Sequence, residues 1–278
     1  MNRISSKKKY TLGFFTNPER PNAVGCLRQA LEKALSDGRA CCVNDETHEK
    51  LRVGAPSFGE LHPDVILAFG GDGTILHAAE PAHEYGAPIL GVNLGRVGFL
   101  SEIPPEGLDE ALRRLDAGDY ELDARMLLSC RVNGDAQRLC LNEALLYKRS
   151  FSGVVDISME IDGIDAGCVL CDGIIVSTST GATGYSISAG GPVIAPGLAA
   201  IIVTPICPHT LSVRPIIASG DARMRFSMNS AGYLSTDGIH SAEIDTDDVI
   251  TVRRSEGHVD FIRFGQRNIY ELIRTKLS

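Results

Sequence analysis

The chain has 278 residues, eight cysteines and a formal net charge of −8. That length supports a sizeable core in one large or two medium domains. Bulk attraction to nucleic acid or to an anionic membrane is not indicated, because no basic block exceeds Lys7-Lys8-Lys9; phosphate binding must be local, through amides and a few placed cations. The N-terminus shows no apolar segment of signal-peptide length, and no stretch approaches a membrane span. Cysteines without an export signal fit buried thiols in a reducing cytoplasm, so a cytoplasmic protein with no nucleic-acid or membrane partner is expected.

Lys9 to Phe15 reads as a first strand, ended by Asn17-Pro18. From Asn22 to Ser36, Val24, Leu27, Leu31, Ala34 and Leu35 share one helical face, stopped by Asp37-Gly38. Ala40 to Val43 is a short strand and 54–63 a Gly/Pro/Ser loop. Val65 to Phe69 is a continuous apolar run, which suits a strand covered on both faces. A helix is expected from Thr74 to about Tyr85, kinked or ended early by Pro81. Pro88 to Asn93 is a further strand, and 105–115 a helix with Leu108, Ala111, Leu112 and Leu115 on one face. Alternating β and α predicts a parallel sheet, with ligands beyond the carboxyl ends of its strands.

After Asp119 strand-like segments follow in quick succession, at 120–132, 137–147, 154–161, 164–170, 173–178, 200–205, 223–228 and 248–253. Turns such as Asn133-Gly134, Asp162-Gly163 and Asp237-Gly238 separate them, which predicts a sandwich. The expected fold is α+β overall. An α/β N-terminal domain with a Rossmann-like parallel sheet spans 1–118, and an all-β sandwich spans 119–265. Asn268 to Leu277 reads as a helix; return of 266–278 to the first domain would make that domain discontinuous.

Two stretches carry chemistry. In Gly70-Gly71-Asp72-Gly73-Thr74, glycines clear every Cβ around the turn except that of Asp72, so backbone can approach a ligand and amides can face an anion. A carboxylate there fits a group that takes a proton from a hydroxyl, or holds a metal, beside phosphates; a tight turn with Asp72 capping the helix is the structural alternative. The Walker pattern is absent, and Leu76 breaks the Rossmann glycine pattern. In the β region, Asn142-Glu143 interrupts an apolar run, which fits a site or a bulge at a domain junction. Ser177 to Ser188 is dense in hydroxyls and glycine, with Tyr185 and Ile187 implying burial; such a segment can meet ribose hydroxyls, phosphates or base edges without charge. Cys168 and Cys171 form a C-x-x-C without a second pair, which is weak support for zinc.

Gly70-Gly71-Asp72-Gly73-Thr74, Asn93-Leu94-Gly95-Arg96-Val97-Gly98-Phe99-Leu100, Asn142-Glu143, Asp172-Gly173, Thr180-Gly181-Ala182-Thr183-Gly184-Tyr185-Ser186 and Pro208-His209-Thr210-Leu211-Ser212-Val213-Arg214-Pro215 occur in this order. Together they resemble NAD kinases over nearly the whole chain. The glycine turn alone is shared with diacylglycerol-kinase-like lipid kinases and phosphofructokinases; the Asn-Glu pair with the Thr-Gly segment is far more specific.

The resemblance implies transfer of the γ-phosphoryl of ATP to the 2′-hydroxyl of the NAD adenosine ribose, by a homodimer or homotetramer with NAD bound between the domains. It implies Asp72 as proton acceptor, Gly70, Gly71, Gly73 and Thr74 at the phosphates, and Asn142 and Glu143 on the ribose and adenine side. Asp172 would meet the nicotinamide half or a neighbouring subunit's ligand, and Thr180, Thr183, Gly184, Tyr185, Ser186 and Ser188 would line the nucleotide pocket. A divalent metal, Mg²⁺ with ATP, is implied without a protein cage, its ligands unassigned. A lipid or sphingoid-base kinase and a non-catalytic NAD(P)-sensing module are the alternatives. Ser179, Ala182 and Gly184 stand where the family usually has proline, serine and alanine, and Leu170 and Ile239 where basic and glutamine residues are frequent.

Overall fold

The computed structural model describes residues 10–95, 98–265 and 271–274, without the side chain of His240. Residues 271–274 are helical, and the remainder of the helix expected at 268–277 lies outside the described residues. The chain divides into two compact units, one of residues up to Ala124 and from Val259 onward, the other Arg125–His258.

The first unit contains β1 (Thr11–Thr16), α1 (Pro21–Ser36), β2 (Ala40–Val43), α2 (Asp45–Leu51), β3 (Val65–Gly70), α3 (Asp72–His77), α4 (Ala79–Tyr85), β4 (Ile89–Asn93) and α5 (Leu108–Ala117). The strands lie in the order β2-β1-β3-β4, all parallel, as the β–α alternation requires. Every residue of β3 is buried, so its unbroken apolar run is what a central strand needs. α1 starts with proline in its first turn and buries Ala23, Leu27, Leu31 and Ala34 along one stripe. The sequence missed α2, because its Asp-Glu-Thr-His-Glu-Lys-Leu has no apolar stripe and buries only Thr47.

The helix expected over 74–85 starts earlier and breaks in two at Ala78. The break places Pro81 in the first turn of α4, where its missing N–H has no intrahelical acceptor to lose.

The second unit takes up the chain within β5 (Glu121–Val132). It continues through β6 (Arg138–Cys140), β7 (Glu143–Lys148), β8 (Val155–Ile161), β9 (Ile164–Cys171), β10 (Gly173–Thr178), α6 (Tyr185–Ser188), β11 (Ala200–Ile206), β12 (Ile216–Ser219), β13 (Arg223–Met228), β14 (Gly232–Thr236) and β15 (Ile239–Ile244). β16 (Ile250–Arg263) leads out of it, and its last residues belong to the first unit, where Phe261 pairs parallel to Ile89 of β4.

One antiparallel sheet has the order β12-β11-β10-β7-β14-β15. In the other, β13 lies between β8 and β16, β9 pairs β8, and β5 pairs β16 and β6. Leu128, Ile157, Met224, Phe226 and Val252 of this sheet share one buried cluster with Leu146, Ile174, Val176, Val203 and Leu234 of the first, which makes the unit a sandwich. The single strand expected at 137–147 is two strands, interrupted at 141–142. β16 continues well past residue 253, because its polar middle, Arg253 to His258, is mostly solvent-facing strand and not the loop its composition resembles.

Two phenylalanines test the packing. Phe226 is 2% exposed and Phe151 fully exposed. Urea unfolding should show Phe226→Ala losing about 3–5 kcal/mol and Phe151→Ala less than about 0.5 kcal/mol. Equal effects would contradict the assigned core.

Candidate active site

In the first unit, β1, β3 and β4 end on one edge. Thr16 pairs with Phe69, and Gly70 with Asn93. The glycine turn and the loop after β4 therefore begin side by side, joined by a Leu94 N–H donating to Gly70 O at 3.3 Å. A cleft of about 450 Å³ opens at this edge, lined by Asn17, Arg20, Gly71, Gly73, His77 and Gly95 among others. No carboxylate is among the described residues that line it, which suits an anion. Sequence reasoning passed over Arg20, whose one signal was its place immediately before the proline that starts α1.

Asp72 does not line this cleft. It is the first residue of α3, whose N-cap is Gly71, so Asp72 does not occupy the capping position. Oδ2 instead accepts the Phe99 N–H at 2.8 Å, and Oδ1 the Leu100 N–H at 3.1 Å. These two amides give the carboxylate a fixed direction. Gly98 makes this seat possible: a Cβ on it would stand 1.8 Å from Asp72 Oδ1. Gly98 N–H donates to the buried Ser101 Oγ at 3.2 Å. Arg96 and Val97 of the same motif lie outside the described residues.

In the second unit, one residue organises the predicted pair. Asp237, at a left-handed position in the hairpin turn joining β14 to β15, accepts three backbone N–H groups. They come from Leu141 at 2.7 Å, Asn142 at 2.8 Å and Glu143 at 3.1 Å. This fixes the break between β6 and β7 where Asn142 and Glu143 sit. The sequence showed Asp237 only as a turn residue. Gly181 packs against the same break; a Cβ there would lie 2.2 Å from Asn142 O. Glu143 Oε2 and Asn142 Nδ2 both face Gly184, 3.3 and 3.4 Å from where its Cβ would be. Glu143 Oε2 is buried without a hydrogen-bond partner, as is Ser177 Oγ on the neighbouring strand position. Burial, and secondarily the charge of Asp237, push the Glu143 carboxyl up to about 7.

The hydroxyl-rich segment divides by role. Thr178 Oγ1 donates to Leu141 O at 2.6 Å, Thr183 Oγ1 to Thr180 O at 3.3 Å, and Ser186 Oγ pairs with Thr204 Oγ1 at 3.0 Å. Buried Arg125, which the sequence did not single out, donates to Thr180 Oγ1 at 3.3 Å. Tyr185 is 45% exposed and Ser188 is exposed, contrary to the burial expected of Tyr185. The single turn of α6 directs Ser186 inward and those two outward. Asp172 is joined to Lys148 Nζ at 2.5 Å.

No group of three or more His, Cys, Asp or Glu able to hold a metal occurs among the described residues. Cys171 is buried and Cys168 exposed, and both are free thiols. A hard cation that brings its own phosphate oxygens and waters needs no protein cage and fits a single carboxylate such as Asp72.

Family models described as the ATP-NAD kinase N-terminal and C-terminal domains match residues 13–120 and 141–264. The NAD kinase of Geotalea daltonii is 35% identical over 277 residues, covering 96% of this chain and 98% of the relative. That of Moorella thermoacetica is 39% identical over 280 residues, covering 96% and 89%.

The chain belongs to the NAD kinase family.

Among solved structures, yeast NADH kinase complexed with NADH shares the fold, with a TM-score of 0.83 at 22% identity over 96% of this chain and 87% of that one. An NAD kinase from Archaeoglobus fulgidus in complex with ATP gives a TM-score of 0.76 at 26% identity, covering 96% and 98%. Two departures from the family pattern are packing positions here. Ser179 is buried and donates to Leu198 O, and Ala182 is buried beside Ile194 and Ile202. Leu170 is a strand residue of β9 and Ile239 is 52% exposed.

Glu143 gives a pH test. Its folded-state value of about 7 lies above the ordinary 4.5, so the folded protein holds that proton more tightly than the unfolded chain. The contribution to stability is complete below the ordinary value, falls as pH rises toward about 7, and is absent above. Ligand-free Glu143→Gln should lose this slope in thermal melts between about pH 4.5 and 7. A slope equal to that of wild type would show that Glu143 is not the strained group.

Proposed function

We propose that the chain transfers the γ-phosphoryl of ATP to the 2′-hydroxyl of the adenosine ribose of NAD, giving NADP and ADP. One observation carries this reading: a carboxylate oriented by two loop amides stands in a glycine turn, beside a cleft lined by an arginine, a histidine and no described carboxylate. Family membership names the acceptor.

The cleft side of the turn takes the ATP phosphates. Exposed backbone at Gly71 and Gly73 allows close approach, Arg20 supplies positive charge, and His77 offers a ring nitrogen. Asp72, oriented by the Phe99 and Leu100 amides, accepts the proton of the ribose hydroxyl. The O2′–P bond forms, the bond from Pγ to the β–γ bridging oxygen breaks, ADP leaves with that electron pair, and Asp72 later returns its proton to water. The transition state is loose, so placement and charge stabilisation supply most of the rate. A divalent cation, Mg²⁺, arriving with ATP and held on the protein side by Asp72, would neutralise charge on the phosphate oxygens. Asn142 and Glu143 hold the nucleoside of NAD: the unpartnered Glu143 Oε2 is an acceptor awaiting a hydroxyl, and Asn142 Nδ2 offers a donor beside it. Thr180 and the turn through Thr183, Gly184, Tyr185, Ser186 and Ser188 line the pocket; Asp172, paired to Lys148, lies at the other end of β10 from Ser177 and Glu143, and meets the nicotinamide half or a neighbouring subunit's ligand.

The decisive assay is pure protein with ATP, Mg²⁺ and NAD. NADP should accumulate with equimolar ADP; NAD binding without turnover would leave only a sensing module. Asp72→Asn should lower kcat by about 10²–10⁴. One of the two loop amides then faces an NH₂ group and loses its acceptor, so about 1 kcal/mol of stability should go with it. Near wild-type turnover would remove Asp72 as the base. Glu143→Gln should raise KM for NAD and leave KM for ATP unchanged; an unaltered KM for NAD would take Glu143 out of the pocket.

A further inference from the structure

The last residue of β16, Arg263, is charged, lies at the end of an apolar run, and is 5% exposed. Its guanidinium is surrounded within the first unit. Nη1 donates to Glu102 Oε2 at 3.1 Å and to Leu100 O at 3.1 Å, and Nε donates to Asp123 Oδ2 at 3.2 Å. Glu102 is itself buried, and its other oxygen accepts the Phe264 N–H at 2.9 Å. Solvent is nearly absent around Arg263 and Glu102, so neither charge is tolerable without the other.

Leu100 stands at the junction of two networks. Its carbonyl accepts from Arg263, and its N–H donates to Asp72 Oδ1. The adjoining residues are tied down as well: Glu102 and Ile103 N–H groups both donate to Gly91 O, at 2.8 and 3.2 Å, and Asn93 N–H donates to Ile103 O at 2.8 Å. At its other end the loop passes through Gly95, which lines the cleft, and residues 96 and 97, which are outside the described set. The seat of Asp72 is therefore anchored on one flank by β4 and Arg263. A buried ion group within one residue of that seat is more than packing needs, because a hydrophobic residue of similar volume would stabilise the strand end equally well. What a hydrophobic residue could not do is hold the Leu100 carbonyl.

We infer that Arg263, with Glu102 and Asp123, is a positioning group for phosphoryl transfer: it fixes the Leu100 peptides, and through them the angle at which Asp72 presents its carboxylate to the acceptor hydroxyl. Arg263 touches neither substrate in this role. Glu102 and Asp123 orient the guanidinium, so that Nη1 is directed at Leu100 O, and the 98–102 loop cannot shift without breaking a buried charge pair. The inference rests on the assignment of Asp72 as the base.

Removing Arg263 alone strands Glu102 and risks the fold, so the test pairs substitutions. Arg263→Met with Glu102→Gln removes both buried charges while the glutamine carbonyl still accepts the Phe264 N–H. Its melting temperature should fall only by the few degrees that the orphaned Leu100 carbonyl costs. Its kcat should fall at least about tenfold, the scale of a sub-ångström misplacement of a reacting group, with KM for NAD and for ATP within about twofold. Arg263→Lys restores a donor for Leu100 O and a partner for Glu102, so it should recover part of kcat without altering KM. In an Asp72→Asn background, Arg263→Lys should cause no further loss of the residual turnover, since the group being positioned is gone. A kcat that follows the melting temperature, a rise in KM at unchanged kcat, or a full additive loss in the Asp72→Asn background would each overturn the inference. Asp72→Asn with near wild-type turnover would overturn it together with the base assignment, whereas an inactive Asp72→Asn combined with any of those three results removes only the role of Arg263.

Discussion

A carboxylate gripped by the N–H groups of Phe99 and Leu100 is the constraint on which the first unit's site depends. It joins two loops that leave neighbouring parallel strands, and it converts a mobile side chain into one with a fixed direction. Three features exist around it: a glycine turn that gives α3 its start, a glycine at 98 that makes room for the oxygen, and a buried serine at 101 that accepts the Gly98 N–H. The two amides hold the carboxylate in one orientation.

The second unit uses the same device for a different end. Asp237 accepts three backbone N–H groups and is a pure organiser, holding the interruption between β6 and β7 in shape. Its charge then acts on Glu143, which has an oxygen buried without a partner and a carboxyl pushed up to about 7. A buried acceptor without a donor costs free energy in the ligand-free protein. A ligand hydroxyl that donates to it recovers that cost, so the strain is converted into selectivity for a hydroxylated ligand. A Cβ at position 184 would stand 3.3 Å from this oxygen, so glycine there keeps side-chain atoms off it.

Much of this was legible in the sequence because it depends on local rules. The all-buried β3 is an unbroken apolar run, α1 has its stripe, and the turn residues between short strands announce a sandwich. Asp72 and the Asn142-Glu143 pair were visible as polar residues in apolar or glycine-rich surroundings. The remainder depends on contacts between distant positions. Asp237 and Arg263 look like an ordinary hairpin residue and an ordinary charged strand end until residues about a hundred or more positions away are brought beside them. α2 and the polar middle of β16 lack periodicity, and only tertiary pairing makes them regular. Tyr185 misled because an aromatic ring amid hydroxyls reads as buried, whereas one helical turn suffices to bring it to the surface.

The grip on Asp72 can be observed directly by amide hydrogen exchange. In the ligand-free protein the Phe99 and Leu100 amides should exchange slowly, protected by the carboxylate. In Asp72→Ala these two should lose protection selectively, while the amides of Glu102 and Ile103, held by Gly91 O, retain theirs. Unchanged exchange at Phe99 and Leu100 in that variant would mean that the carboxylate does not hold the loop, and the account of an oriented base would fail with it.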